Sequence, residues 1–160
     1  MTALPAFTVL MATRNGAAHL PAQLASLAAQ SHSGWRLWVS DDGSTDATRA
    51  LVQDFGRDHD VRLIDGPQRG AAANFMHLLC HPDLPRGPVA LSDQDDIWLP
   101  DKLARAGAAL ARARAPVLYG AGSIHMGADG AARGTSPDWP RGPSFENALV
   151  QNVVSGHSTA

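Results

Sequence analysis

The stretch Trp35-Arg36-Leu37-Trp38-Val39-Ser40-Asp41-Asp42-Gly43-Ser44-Thr45-Asp46 decides the architecture. Its first half, Trp35 to Ser40, is apolar, with Trp35, Leu37 and Val39 on one face, the two-residue period of a strand. Its second half changes to acids, a glycine and hydroxyls, which is a loop at that strand's carboxyl end. A helix then follows, with Ala47, Leu51 and Phe55 on its buried side. Ser44 or Asp46 is suited to cap it.

The same unit recurs on either side. Upstream, Phe7 to Ala12 is a short apolar run that ends in Arg14-Asn15-Gly16, a turn signal. Leu20, Leu24, Leu27 and Ala28 then recur at helical spacing, which predicts a helix over residues 18–30 with Pro21 in its first turn. Downstream, Val61 to Ile64 reads as a third strand. Residues 71–80 read as a third helix, packed through Phe75, Leu78 and Leu79. Val89-Ala90-Leu91-Ser92 reads as a fourth strand, and Pro100 opens a helix with Leu103 and Leu110 on an alanine-rich face. Val117-Leu118-Tyr119 is expected to start a fifth strand, and Met126 to Gly130 to turn between two strands. Residues 133–143, rich in proline and glycine, are expected to be a surface loop, and Phe145 to Val150 a short helix or ordered turn. Alternation of strands and helices builds a mostly parallel sheet with helices on both faces. The functional loops of such a sheet leave the carboxyl ends of its strands. Residues 1–160 are therefore read as a single α/β, Rossmann-like domain.

The composition agrees. In 160 residues, 44% hydrophobic and 18% charged residues are an ordinary globular balance. A net charge of −2 supplies no positive field to hold nucleic acid. The single cysteine, Cys80, excludes an internal disulfide framework and a cysteine-based zinc cage, and it suits a reducing cytoplasm. The amino terminus has no basic region of a signal peptide. No apolar run approaches the roughly 20 residues that span a bilayer. Membrane association is expected to be peripheral only, or to lie in sequence outside this chain.

Chemistry concentrates at the strand ends. Ser92-Asp93-Gln94-Asp95-Asp96 places three carboxylates within four residues, directly after a buried strand. Packed in a partly dry site they repel one another, and a divalent cation removes that cost. An oxygen-only set with no His or Cys beside it favours Mg²⁺ or Mn²⁺, which keep open positions for phosphate oxygens. The bland reading is a solvated acidic turn before the helix at Pro100. In the Asp41-Asp42 pair, a carboxylate can accept from a base N–H or a ribose hydroxyl, while a neighbour caps the helix.

These motifs carry a resemblance. Thr13 and Asn15 after the first strand, Ser26-Leu27-Ala28-Ala29-Gln30 in the first helix, Val39-Ser40-Asp41-Asp42-Gly43-Ser44-Thr45-Asp46 and Ser92-Asp93-Gln94-Asp95-Asp96-Ile97-Trp98-Leu99-Pro100-Asp101-Lys102-Leu103 together resemble the family 2 glycosyltransferases. The second acidic motif is most similar to the rhamnosyltransferase-like branch, which builds bacterial surface polysaccharides. The resemblance covers residues 7 to about 125 well and 144–160 loosely.

The resemblance implies the GT-A nucleotide-diphospho-sugar transferase fold, here incomplete. It implies inverting transfer of a sugar from a nucleotide-diphosphate donor (dTDP-rhamnose, or a UDP- or GDP-sugar) to a glycan or lipid-linked glycan. The expected setting is the cytoplasm, at the inner face of the membrane. Thr13 and Asn15 would line the nucleotide pocket, Asp42 would bind the base, and Arg69 and Asn74 would help hold nucleotide. Asp93 and Asp95 would form the D-x-D element, with Asp95 the direct ligand of Mn²⁺ or Mg²⁺ and Asp93 on the ribose or a metal-bound water. Asp96 is an acceptor-side candidate. Trp98 is expected to pack rather than to stack on a sugar. Asn152 to Thr159 resembles the family's N-x-x-x-G-x-T segment, with His157 and Ser158 as departures from it. The family's catalytic base lies beyond that segment, so the chain is expected to be C-terminally truncated, to hold the donor half of the site and to lack the base. Two other readings stay open. One is a non-catalytic nucleotide- or metal-binding remnant. The other is a receiver-like regulatory module, in which the acid pair would follow the first strand rather than the second and fourth.

Overall fold

A computed structural model describes residues 4–113, 117–127, 129–137 and 159. Four parallel strands, β1 (Phe7–Thr13), β2 (Trp35–Asp41), β3 (Val61–Asp65) and β4 (Val89–Ser92), form one sheet in the order β3-β2-β1-β4. Four helices, α1 (Leu20–Ala28), α2 (Thr48–Phe55), α3 (Ala71–Leu79) and α4 (Lys102–Leu110), follow the four strands in turn. The expected α/β class and helix-covered parallel sheet are what the chain forms.

The strand pattern divides the core. Phe7, Val9, Met11, Leu37 and Val39 point to one face, where Leu20, Leu24 and Leu27 of α1, Val52 of α2 and Leu103 and Ala106 of α4 cover them. Leu10 and Trp38 point to the other face and meet Leu78 of α3. This assignment follows from the path of the chain. The right-handed crossovers β1-α1-β2 and β2-α2-β3 advance in one direction, so both helices lie on one face. After β3 the chain returns past β1 to β4, which puts α3 on the opposite face. The direction of strand order therefore reverses between β1 and β4. The carboxyl ends of those two strands flank the crevice where open α/β sheets bind ligands.

Several local expectations need correcting. Val117-Leu118-Tyr119 is not a strand. Val117 and Leu118 stand exposed, and the one bridge nearby joins Gly120 to Thr159. A β-branched apolar run becomes a strand only where a neighbour completes its ladder. Residues 133–143 are not all loop, because Ala132–Thr135 is a strand, β6, paired antiparallel with β5 (Ile124–Met126). The expected turn between two strands at Met126 to Gly130 is therefore present. Ala28, Ala47 and Leu79 are exposed rather than buried. In each case a polar residue sets the buried stripe instead: Gln23 and Ser26 in α1, Thr48 in α2, Asn74 in α3. The readings at Phe145 to Val150 and Asn152 to Ser158, including His157, lie outside the described residues.

Candidate functional site

The three loops at the carboxyl ends of β1, β2 and β3 are held in lateral register by backbone bonds. Asp42 N donates to Thr13 O at 2.8 Å, and Gly66 N donates to Asp41 O at 2.7 Å. Beside this seam, Asp41 and Asp42 part ways. Asp41 is 2% exposed and turns into the protein. Its Oδ1 accepts from Thr13 Oγ1 at 3.0 Å and from Ser44 Oγ, and its Oδ2 accepts from Ser44 N at 3.0 Å and Arg49 Nη1 at 3.2 Å. Burial pushes its pKa up, but the Ser44, Thr13 and Arg49 bonds outweigh that and hold it below 3.8. Arg49 also pairs with Asp65 at 2.9 Å, tying β2, α2 and β3 together.

Asp42 turns the other way. Its two oxygens accept Gln68 N at 2.6 Å and Gly70 N at 2.9 Å, so it anchors the loop that leads into α3. Gly70 has φ +87°, which a side chain would strain. Each carboxylate oxygen keeps a second acceptor position for a ligand. Asn74, 1% exposed on the first turns of α3, donates from Nδ2 to Ser40 O at 2.8 Å, and its buried Oδ1 has no hydrogen-bond partner. Gly66 lets these groups approach: a Cβ there would lie 2.7 Å from Asn74 Oδ1 and 2.9 Å from both Asp41 O and Asp42 Oδ1. Only a glycine fits.

The loop after β4 is fixed from two sides. Gln94 lies across the β1 loop, accepting Arg14 N at 2.9 Å through Oε1 and donating Nε2 to Arg14 O at 3.2 Å. From behind, α1 presents two buried polar side chains, Gln23 and Ser26, and Gln30 just past its end adds a third. Gln23 Nε2 donates to Ser92 Oγ at 2.6 Å, Trp98 N donates to Ser26 Oγ at 3.0 Å, and Gln30 bridges Leu99 O at 2.9 Å and Leu103 N at 3.1 Å. Trp98 is 4% exposed and belongs to the core, as the packing reading expects. Lys102 lies 4.2 Å over its ring. Burial lowers the Lys102 pKa to about 8, against the opposing pull of Asp96 and Asp93.

These elements enclose a pocket of about 240 Å³ lined by Thr13, Asp42, Asn74, Asp93 and Asp95, together with Arg14, Gln94, Gly70 and Phe75. Five of the residues expected from sequence thus meet there. Asn15 and Arg69 do not line it. Asn15, at φ +48°, donates its N–H to Ser44 Oγ at 2.8 Å and accepts Thr45 N at 2.8 Å through Oδ1, joining the β1 and β2 loops outside the pocket. Arg69 is exposed, between two residues whose N–H groups Asp42 holds. Asp96 is also outside the lining. Gln94 and Gly66 were not singled out by sequence reasoning; the signal for Gln94 was its place inside the acidic run. No group of three or more His, Cys, Asp or Glu gathers among the described residues. Among the described residues of the acidic loop, Asp93 and Asp95 line the pocket and could hold a cation, with water and phosphate oxygens completing its shell. That donor set fits Mg²⁺ or Mn²⁺, which are usually held by one or two carboxylates plus substrate phosphates.

A family profile, Glycosyl transferase family 2, matches residues 8–159. The chain belongs to that family. Among curated relatives, a dTDP-rhamnosyl transferase, RfbG of Shigella flexneri, is 34% identical over 101 residues, which cover 60% of this chain and 35% of that protein. WfgD of Escherichia coli, a UDP-Glc:alpha-D-GlcNAc-diphosphoundecaprenol beta-1,3-glucosyltransferase, is 30% identical over 60% of this chain and 37% of its own length. Among solved structures, the mannosyltransferase PcManGT from Pyrobaculum calidifontis, in complex with GDP-Man and Mn²⁺, aligns at TM-score 0.58 and 28% identity over 66% of this chain and 32% of that one. TarS 1-349 of S. aureus, in complex with UDP-GlcNAc, aligns at TM-score 0.57 and 23% identity over 66% of this chain and 31% of that one, a likeness of fold alone. The chain spans 35% to 37% of the length of RfbG and WfgD. Among the described residues, no helix of this family member is long and apolar enough to cross a membrane.

Proposed function

We propose that residues 1–160 are the donor-binding portion of a metal-dependent, inverting glycosyltransferase that takes a sugar from a nucleotide diphosphate. One observation carries the reading: Thr13, Asp42, Asn74, Asp93 and Asp95, from four separate stretches of sequence, converge on one pocket at the β1/β4 switch point. Family membership and the GDP-Man named for PcManGT support a nucleoside-diphosphate donor. The likeness to RfbG favours rhamnose as the sugar, and the diphosphoundecaprenol-linked acceptor named for WfgD favours a lipid-linked glycan.

In this reading Asp42 and Asn74 accept from the base, and Thr13 lines the nucleotide. Arg69 lies beside the loop that Asp42 anchors and offers positive charge to the phosphates. Asn15 positions the loops. Asp93 faces the ribose or a metal-bound water, Asp95 holds Mn²⁺ or Mg²⁺, and Asp96 stands toward the acceptor. When bound, the cation supplies charge that offsets the negative charge growing on the leaving diphosphate. The catalytic base is proposed to lie outside this chain, and the site to work at the cytoplasmic face of a membrane.

Calorimetry with UDP and dTDP, with and without Mn²⁺, tests the reading. Binding should require the metal, and Asp95→Ala should abolish the metal-dependent binding while the chain stays folded by circular dichroism. Absence of metal-dependent binding for both nucleotides and for GDP would overturn it.

A further inference from the structure

The backbone pairing of β1 with β4 ends at Met11 and Ser92. Beyond that point a side chain continues it. Gln94 Oε1 accepts Arg14 N at 2.9 Å, and Gln94 Nε2 donates to Arg14 O at 3.2 Å. One amide thus meets both main-chain groups of Arg14, as a neighbouring strand would. Gly16 leaves the room for it, since a Cβ there would lie 2.5 Å from Gln94 Cδ. The main chain of Arg14 is thereby fixed at the switch point between β1 and β4. Arg14 itself is exposed and lines the pocket. Among the described lining residues Asp42, Asp93 and Asp95 are acidic, and Arg14 is the basic one.

We propose that Arg14 binds the diphosphate of the donor nucleotide, as the pocket's own cation beside the acids that hold the metal ion. This rests on the donor pocket proposed above. Three carboxylates in the lining repel a diphosphate, and a divalent ion at Asp93 and Asp95 offsets only part of that charge. A guanidinium is always charged, and its paired N–H groups match two phosphate oxygens at once. The Gln94 clamp lowers the cost of the contact. It holds the Arg14 main chain before the ligand arrives, so binding has only the side chain left to order.

Calorimetry with UDP, dTDP and GDP in saturating Mn²⁺ tests this without any transfer reaction. For the nucleotide that the wild type binds most tightly, Arg14→Met should raise the dissociation constant about tenfold, as loss of one charge-assisted contact does. Arg14→Lys keeps the charge without the paired N–H groups and should fall between the two. Because Arg14 is exposed, both variants should melt at the wild-type temperature without ligand. Arg14→Lys binding no better than Arg14→Met overturns the inference, because the charge is then not what the nucleotide meets. A loss of binding that accompanies a lowered melting temperature in both variants marks a role in the fold and overturns it as well. If none of the three nucleotides binds the wild type, the donor pocket itself falls and the inference with it. If one binds the wild type and Arg14→Met equally, only the inference falls.

Discussion

The Asp41 carboxylate is filled by Thr13, Ser44 and Arg49, whereas that of Asp42 holds two loop N–H groups and still faces the pocket. The sequence shows two adjacent acids after a strand, and alternation sends them to opposite sides. Which one faces the pocket depends on β1 and β3, far away in the chain. Their roles separate by mutation. Asp41→Asn leaves Arg49 and Ser44 with a poorer acceptor and should cost about 2 kcal/mol in urea denaturation at pH 7. The pH dependence has a definite sign. The Asp41 pKa in the fold lies below 3.8, so on acidification the unfolded state takes up the proton first. Its contribution is fully present above pH 3.8 and is lost as pH falls through the folded value. Denaturation curves below pH 4 should therefore fall less steeply in Asp41→Asn than in the wild type. Gly66→Ala is a second case. Its Cβ would meet Asn74 Oδ1 at 2.7 Å and Asp41 O at 2.9 Å, and the second of these is backbone that cannot turn aside. The change should destabilise by about 1–3 kcal/mol and weaken UDP binding as well, both read in one titration series.

At the scale of the element, α1 shows where hydrophobic periodicity is an incomplete guide. Its leucines were legible as a core stripe, and they are buried. Gln23 and Ser26, and Gln30 two residues past its end, are buried too, because each meets a partner at the end of β4, in the loop after it or at the start of α4. A polar residue hidden in this way has no signature in local pattern, since its partner lies about 70 positions on in the chain. The same reason hides Thr48, which accepts Gly16 N at 2.8 Å. The helix that reads as a wall of the core is also the clamp of the acidic loop. Gln30→Ala should leave Leu103 N and Leu99 O unpaired behind that loop, costing about 1–3 kcal/mol. It should also weaken Mn²⁺-dependent UDP binding although Gln30 is absent from the pocket lining. Calorimetry and thermal melts on the same variant check both effects.

At the scale of the whole molecule, the succession of strands and helices was enough to place the acids at carboxyl ends. The strand order β3-β2-β1-β4 brings those ends together, and the handedness of the crossovers then sets which face each helix covers. What periodicity could not supply was the fate of the residues after α4, where short apolar runs find no neighbour in the parallel sheet. The β5–β6 hairpin has three and four residues in its strands, every one of them exposed. A two-stranded hairpin without a covered face is marginal in water. Stability should thus be graded across the chain. Amides of β1 and β2, which are central and largely buried, should exchange with solvent only through global opening. Amides of Ile124–Met126 and Ala132–Thr135 should exchange orders of magnitude faster. Adding UDP and Mn²⁺ at about 100 times the dissociation constant raises the global free energy by about 2.7 kcal/mol, because only the folded site binds. Protection in β1, β2 and β4 should rise by that amount, roughly 100-fold in rate, while the hairpin, which contributes nothing to the pocket lining, stays unchanged. Equal gains in the hairpin would mean that it opens and closes with the sheet.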